Sequence, residues 1–371
     1  MTSRRPGSGS VDRNRGQGSA GGGPDRAAVT RLLAALVHRG MLAPDDARQA
    51  LAAGDPGAHL VASGRVDAAT WDEWVQTEAG TRPVLSRYEL REVLGEGGQA
   101  RVFRAVDRTD GSAVALKVLR PEIAADQKAV QRFVAESRLL IDLDHPHIVH
   151  GRRVAREGAV VFCAMEIVEG ECLQLVLERD GALSEDDALR VVRDVAAALS
   201  HLHGRGLVHR DVKPGNVMRA ADGRSVLIDL GFAVGGAEEG GDTTAGTVHY
   251  IAPEQARGHS GLDVRADIYA LGATLYHLVT GSLPFAGKTS EEVLAKQVLE
   301  SLSGERIRAL EISPQVHYLI EKMMAKEKEI RFQDPAQLAR EVDAVLSARR
   351  HEESGLEPDS PARRLLRRRR R

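Results

Sequence analysis

Apolar and polar positions along the chain change their period twice. From Asp25 to about Gly80 they recur at helical spacing: RAAVTRLLAALVHRG carries an apolar stripe that stops at Gly40, and Pro44 then opens DDARQALAAG where a first-turn proline is tolerated. A weak repeat lies inside this stretch, LVHRGMLAPDDARQAL from Leu36 resembling LVASGRVDAATWDEWV from Leu60, with Gly40 and Gly64 in equivalent places. Two copies predict a small helical module of paired helix-turn-helix pieces over residues 26–80, because a solenoid needs more. Chance likeness between alanine-rich helices is the alternative. Trp71 and Trp74, three apart on one helix face, read as core residues.

From Arg87 the pattern alternates. YELREVLGEG, ARVFRAVD and SAVALKVLR read as strands between turns, QKAVQRFVAESRLLIDL as a helix and AVVFCAMEIV as a further strand. Beyond Gly170 the helical period returns in SEDDALRVVRDVAAALSHLHGRG, in VRADIYALGATLYHLVTG and in segments running to about Ala348. A strand-rich part followed by a helical part predicts an α+β domain of two lobes over residues 87–348, the first small and β-rich, the second larger and α-helical. Residues 1–25, rich in Gly, Ser and Arg, and residues 349–371, ending ARRLLRRRRR, show no period and are expected to be disordered.

Composition narrows the function classes. The chain is 42% apolar, enough for a sizeable core, and 53 acidic against 51 basic residues give a formal charge of -2, so no global field favours nucleic acid or membrane. Two cysteines, Cys163 and Cys172, imply no disulfide framework, and Cys163 in its apolar strand reads as a buried thiol. No stretch has the make-up of a signal peptide or a membrane span, so a cytoplasmic protein is expected. The arginines between Arg363 and Arg371 are a solvated charge run, or else a weak site for anionic lipid or nucleic acid that would bring the chain to the inner face of the membrane.

Four motifs carry chemistry. Leu94-Gly95-Glu96-Gly97-Gly98-Gln99-Ala100-Arg101-Val102 joins two strands; glycines at 95 and 97 let backbone N–H groups approach phosphate oxygens, though a plain hairpin uses the same residues. Val114-Ala115-Leu116-Lys117 sets a lysine among apolar neighbours. The strongest signal is His209-Arg210-Asp211-Val212-Lys213-Pro214-Gly215-Asn216. Phosphoryl transfer needs a carboxylate near the attacking hydroxyl, a cation near the moving group and an oxygen ligand for a metal, and this loop offers all three. Downstream, apolar VLI runs into Asp229-Leu230-Gly231, where Asp229 supplies a second hard oxygen ligand.

Together these motifs resemble the protein kinase superfamily, most closely the bacterial kinases of eukaryotic type, from about Arg87 to Ala348. The resemblance implies a bilobal kinase fold, ATP and Mg²⁺, and transfer of the γ-phosphoryl group to serine or threonine hydroxyls of protein substrates, the lysine two places after Asp211 being the serine/threonine pattern. It assigns Asp211 to orient the hydroxyl and accept its proton, Lys213 to offset γ-phosphate charge, Lys117 to reach the α- and β-phosphates, and Glu136 in FVAESRLL to orient Lys117. Asn216 and Asp229 would ligate Mg²⁺. Nucleotide contacts would come from Leu94, Gly95, Gly97, Val102, Ala115 and Lys117, from Met165 guarding the space behind the adenine, and from the backbone of Glu166 and Val168. Glu254 of Ala252-Pro253-Glu254 is expected to pair with Arg331, and Asp267 to hold the backbone of the catalytic loop.

The chain departs from the family pattern in three places: Ala100 for the third glycine, Leu230 for phenylalanine, and Gly151 where an apolar side chain usually stacks with Leu140, His209 and Leu230, which predicts a thinner stack. In the segment after Gly231, Thr243 and Thr244 stand where relatives are phosphorylated, with Arg210 to receive the phosphate and self-association as the route to autophosphorylation in trans, while Thr247 matches a threonine that contacts Asp211 and Lys213. A silent scaffold of the same fold is the rival reading, but such proteins typically lose one of the residues present here as Lys117, Asp211 and Asp229. The glycine loop at Gly95–Gly98 does not follow the GxxxxGK pattern of a phosphate-loop ATPase.

Overall fold

In the computed structural model, which describes residues 26–38, 40–78, 83–230, 247–302 and 312–353, four short helices come first: α1 (Arg26–His38), α2 (Pro44–Ala52), α3 (Pro56–Ala62) and α4 (Ala68–Glu78). They lie in the first of two units, Met1–Leu90 and Arg91–Arg371. The α1–α2 and α3–α4 turns close identically. Met41 N–H donates to Leu36 O at 2.9 Å and Gly40 N–H to Val37 O at 3.0 Å; Arg65 N–H donates to Leu60 O and Gly64 N–H to Val61 O, both at 3.0 Å. Both glycines are left-handed, at φ +68° and +65°, a conformation that costs glycine little. Val29, Leu33, Leu36, Leu60, Trp71 and Trp74 form a core of their own. The Trp71 indole lies on the α3 backbone, since a Cβ at buried Gly57 would come within 2.0 Å of Trp71 Nε1.

The following sheet is antiparallel in the order β1-β2-β3-β5-β4, built from β1 (Tyr88–Glu96), β2 (Ala100–Asp107), β3 (Ala113–Leu119), β4 (Gly151–Glu157) and β5 (Val160–Met165). Lys117 stands opposite both Val102 and Cys163, and Ala115 opposite Met165. Strand alternation therefore puts Val102, Ala115, Lys117, Cys163 and Met165 on one face. After β3 come α5 (Pro121–Ala124) and α6 (Gln127–Asp142), the latter capped by Asp126 and burying Phe133, Ser137 and Leu140 at helical spacing.

The helical lobe holds β6 (Gly170–Cys172), α7 (Leu173–Asp180), α8 (Glu185–His203), β7 (Val217–Ala220), β8 (Ser225–Leu227), α9 (Pro253–Ala256), α10 (Val264–Thr280), α11 (Ser290–Leu299), α12 (Pro314–Met323) and α13 (Pro335–Glu353). Ser184, Asp263, Thr289 and Ser313 cap α8, α10, α11 and α12 through side-chain oxygens. Helix α10 is buried along almost its whole length and is the axis of the lobe. One core runs through both lobes, from Ala115, Leu140 and Met165 to Leu230 and Leu271. This is the bilobal α+β architecture read from the sequence.

The C-terminal boundary differs from that reading. Helix α13 continues past Ala348 to Glu353, and Arg349 pairs with Asp186 at 3.0 Å and with Glu185. The last turn is charged and carries no apolar period, so only the partners on α8 reveal it. Residues 1–25 and 354–371, with the arginine tail, lie outside the described residues. No helix among the described residues is long and apolar enough to cross a membrane.

Candidate active site

The site begins with Asp267 in the first turn of α10, 1% exposed. Its two carboxylate oxygens accept the backbone N–H groups of His209 at 2.8 Å and Arg210 at 2.7 Å, as the sequence anticipates. Arg210, alone among the described non-glycine residues, has a positive φ of 66°. Such a turn costs about 1–2 kcal/mol, and hydrogen bonds to a buried carboxylate, about 1.5–3 kcal/mol each, offset it. Gln255 Nε2 adds a bond to Arg210 O at 3.1 Å.

This turn delivers Asp211 with its two oxygens in different circumstances. Oδ2 accepts from Asn216 Nδ2 and from Lys213 Nζ, both at 2.8 Å. Oδ1 is buried and has no hydrogen-bond partner. Asn216 Nδ2 donates again to Asp211 O at 2.8 Å, which commits its nitrogen and leaves Oδ1 as a donor atom toward a cation. The Asn216 carbonyl accepts Ile228 N–H at 3.0 Å, which brings the neighbouring Asp229 to the same loop.

Asp229 Oδ1 accepts from Lys117 Nζ at 2.9 Å, joining β3 to the end of β8. Burial alone would lower the Lys117 ammonium, but the Asp229 and Glu136 carboxylates together hold it above its ordinary value. Among the described ion pairs none joins Glu136 to Lys117, whose ammonium faces Asp229. Burial, with Asp229 adding repulsion, pushes the Glu136 carboxyl up to about 7 despite the attraction of Lys117. Two carboxylates compete for one ammonium, and here Asp229 holds it.

The glycine hairpin is closed by Gly97 N–H on Ala100 O at 2.9 Å. Arg120, which no motif flagged, clips it from outside: Nε donates to Gly97 O at 2.8 Å and its backbone N–H to Gln99 O at 2.9 Å. A Cβ at Gly95 would meet nothing within 4 Å, a Cβ at Gly97 only Ala100 O at 3.6 Å, and neither residue has a positive φ. Neither crowding nor backbone strain within the chain accounts for these glycines, which fits a loop kept bare for incoming atoms. Leu94 is half exposed at the same edge, and Ala100 is packed.

Met165 is buried opposite Ala115. The Glu166 backbone N–H is spent on His150 O at 2.9 Å and its side chain accepts His150 N–H at 3.0 Å, so the Glu166 carbonyl and the half-buried Val168 remain for a ligand edge. Asn216 Oδ1 and the Asp229 carboxylate are hard oxygens of the kind Mg²⁺ takes, and two protein ligands suffice for an ion that keeps water and phosphate oxygens. No cluster of three or more His, Cys, Asp or Glu among the described residues could hold a metal by itself.

Around this centre, Arg331 makes a bidentate pair with Glu254 at 2.7 and 2.8 Å, as anticipated, and also donates to the carbonyls of Ala325, Arg265 and Lys326. The stack around Gly151 is not thinned. A Cβ there would lie 2.8 Å from Ile141 N and 2.9 Å from Leu140 C, so the backbone of α6 fills the space, and Leu140, His209 and Leu230 are all buried. Cys163 is buried, and burial pushes its thiol up. Gly231, Thr243, Thr244 and the side chain of Thr247 lie outside the described residues. Besides Arg120, the sequence reading missed Gln255 and the buried Asp194, which accepts Ser225 N–H at 3.0 Å and ties α8 to β8; both are common helix residues with no local signature.

A profile of the protein kinase domain matches residues 88–342. The chain is 34% identical over 284 residues to serine/threonine-protein kinase PknB of Mycolicibacterium smegmatis, covering 74% of this chain and 44% of that protein. To PknB of Mycobacterium leprae it is 35% identical over 290 residues, 76% of this chain and 45% of the relative. To serine/threonine-protein kinase PknA of Mycobacterium tuberculosis it is 37% identical over 274 residues, 71% of this chain and 62% of the relative. The chain thus spans less than two thirds of the length of each of these relatives.

Proposed function

This chain belongs to the protein kinase family, and on that premise we propose that it is an ATP-dependent kinase that phosphorylates serine and threonine hydroxyls of proteins. One observation carries the reading. Asp211 keeps one carboxylate oxygen buried and without a hydrogen-bond partner while Lys213 and Asn216 hold the other, in a loop bonded to the segment bearing Asp229 and, through it, Lys117.

In this reading Asp211 Oδ1 accepts the hydrogen bond of the acceptor hydroxyl, orients the oxygen and takes its proton as the new O–P bond forms and the bond from the γ-phosphorus to the β-phosphate oxygen breaks, with ADP as the leaving group. Lys213 neutralises charge on the moving phosphoryl group. Lys117 leaves Asp229 for the α- and β-phosphates, and Glu136 becomes its partner. Asn216 Oδ1 and the Asp229 carboxylate would hold Mg²⁺, which when bound would screen the phosphate charge. The glycine hairpin covers the phosphates with backbone N–H groups. The preference for serine and threonine rests on Lys213 two places after Asp211 and on the names of the relatives.

The same reading includes autophosphorylation at Thr243 or Thr244. Arg210 Nε is buried without a hydrogen-bond partner next to Asp211, a cation suited to a phosphate on the segment that follows Asp229. Incubating the full chain with γ-labelled ATP, Mg²⁺ and a generic protein acceptor, followed by phosphoamino-acid analysis and mass spectrometry, tests both parts. Phosphoserine or phosphothreonine on the acceptor is expected, with modification at Thr243 or Thr244. A wild-type chain that transfers nothing would overturn the kinase reading, and unchanged activity in Thr243→Ala/Thr244→Ala would overturn the regulatory one.

A further inference from the structure

We propose that Gly151 is a positioning residue: by presenting no side chain it lets the last turn of α6 close directly onto β4, and so sets how far Glu136 reaches toward Lys117. The inference rests on the kinase reading above and goes beyond it.

Gly151 opens β4, is buried, pairs with Met165, and precedes an irregularity in the β4–β5 register between Gly151 and Arg153. The two atoms nearest its missing Cβ are backbone atoms of α6, Ile141 N at 2.8 Å and Leu140 C at 2.9 Å, and Ile141 Cγ1 follows at 3.0 Å. A side-chain neighbour could rotate away, but a helix backbone cannot. Ordinary contact begins near 3.5 Å, so even alanine demands a retreat of roughly 0.7 Å, and a branched side chain more. A second small residue marks the same close approach: Ser137, buried on the sheet-facing side of α6, folds its hydroxyl back onto Phe133 O at 2.7 Å.

The retreat cannot be a simple translation. The connection from α6 to β4 is fastened to β8, with Val149 N–H donating to Leu227 O at 2.8 Å and Leu227 N–H to His147 O at 2.9 Å. A side chain at 151 therefore tilts α6 about this fastened end. Glu136 lies one turn before Leu140, about 6 Å along the axis, on the arm that swings. In the present arrangement Glu136 is half-buried and Lys117 sits with Asp229, so the Glu136–Lys117 approach is the step that a tilted α6 would spoil.

The test is a double-mutant cycle on the full chain, with Gly151→Ala and Gly151→Val placed in the wild-type and Glu136→Gln backgrounds. Readouts are kcat and KM for ATP, with hydrogen exchange of the Leu139–Leu143 amides measured without nucleotide. Gly151→Val is expected to lower kcat/KM at least tenfold in the wild-type background and less than threefold once Glu136 is glutamine, with Gly151→Ala between wild type and Gly151→Val. Exchange at Leu139–Leu143 should quicken in both variants. Equal losses in the two backgrounds would reduce Gly151 to a packing residue and overturn the proposal, as would unchanged exchange or unchanged kcat/KM. Gly151→Ala keeps the test open if the valine variant does not fold. A wild-type chain without transferase activity is a separate failure, that of the kinase reading, and the exchange measurement still decides whether α6 rests on Gly151.

Discussion

Replacing Asp211 by asparagine is the sharpest probe of the catalytic loop, because the two oxygens of Asp211 are so unequally engaged. Oδ2 receives Asn216 Nδ2 and Lys213 Nζ at 2.8 Å each, both of them donors. The amide of an Asp211→Asn variant must turn its oxygen toward them, since its own NH₂ there would set donor against donor. The NH₂ then occupies the place of Oδ1, the oxygen without a partner. There it can neither accept the hydroxyl's hydrogen bond nor take its proton. The loop geometry survives, because the Asp267 bonds to His209 and Arg210 are untouched. The loss should equal the whole general-base contribution, about 10²–10⁴-fold in kcat, or about 3–5 kcal/mol of barrier. Nucleotide affinity should change less than threefold, an order-of-magnitude expectation from leaving the phosphate-binding groups in place. Single-turnover transfer to a peptide acceptor, beside fluorescence titration with a nucleotide analogue, measures both. A variant that keeps more than about a tenth of wild-type kcat would refute the assignment of Asp211 as base.

Other substitutions probe the surroundings. Glu254→Gln leaves the fully buried Arg331 without its counter-charge and should cost about 3 kcal/mol in urea unfolding. Burial pushes the Glu254 carboxyl up, but the bonds and charge of Arg331 pull it further down, below its ordinary 4.5. A carboxyl depressed in the folded state gives stability that is whole above 4.5 and lost as pH falls through the lower folded value, so the gap between wild type and Glu254→Gln should close in acid; a gap independent of pH would contradict the pairing. Gly57→Ala forces a methyl into the Trp71 indole and should destabilise the α1–α4 unit by about 1–3 kcal/mol. The chain's 2 tryptophans both lie in that unit, so intrinsic fluorescence reports its unfolding, and an unchanged midpoint would count against the contact. Arg120→Ala removes the clip on Gly97 O and should raise KM for ATP about tenfold with the acceptor KM unchanged; steady-state kinetics in each substrate checks this.

The bilobal fold was legible because strand alternation and helical period are both local signals, and the change from one to the other at Gly170 marks the lobes. The catalytic loop was legible for another reason: Asp211, Lys213 and Asn216 sit so close in sequence that one turn brings them together. What escaped depends on competition across space. Glu136 reads as the partner of Lys117 until a second carboxylate, Asp229, is found 2.9 Å from the same ammonium. Gly151 reads as a missing contact, because a sequence cannot display the helix backbone that takes the empty place. Arg120 follows a strand and precedes a proline, with nothing local to separate a clip from a solvated charge, and the helical turn around Arg349 has only charged faces to offer.

The charges around Asp211 and Asp229 have a consequence for what the cleft can admit. Lys117 and Lys213 are each matched to an aspartate, Asp229 and Asp211 respectively, while a Glu136 carboxyl at about 7 sits near half-charge at neutral pH. These two lysines thus offer a polyanion little positive charge that is not already paired. A triphosphate must import its counter-ions, so the apparent affinity for ATP should follow the concentration of free divalent cation, and the cleft should discriminate steeply between the metal-bound nucleotide and the bare one.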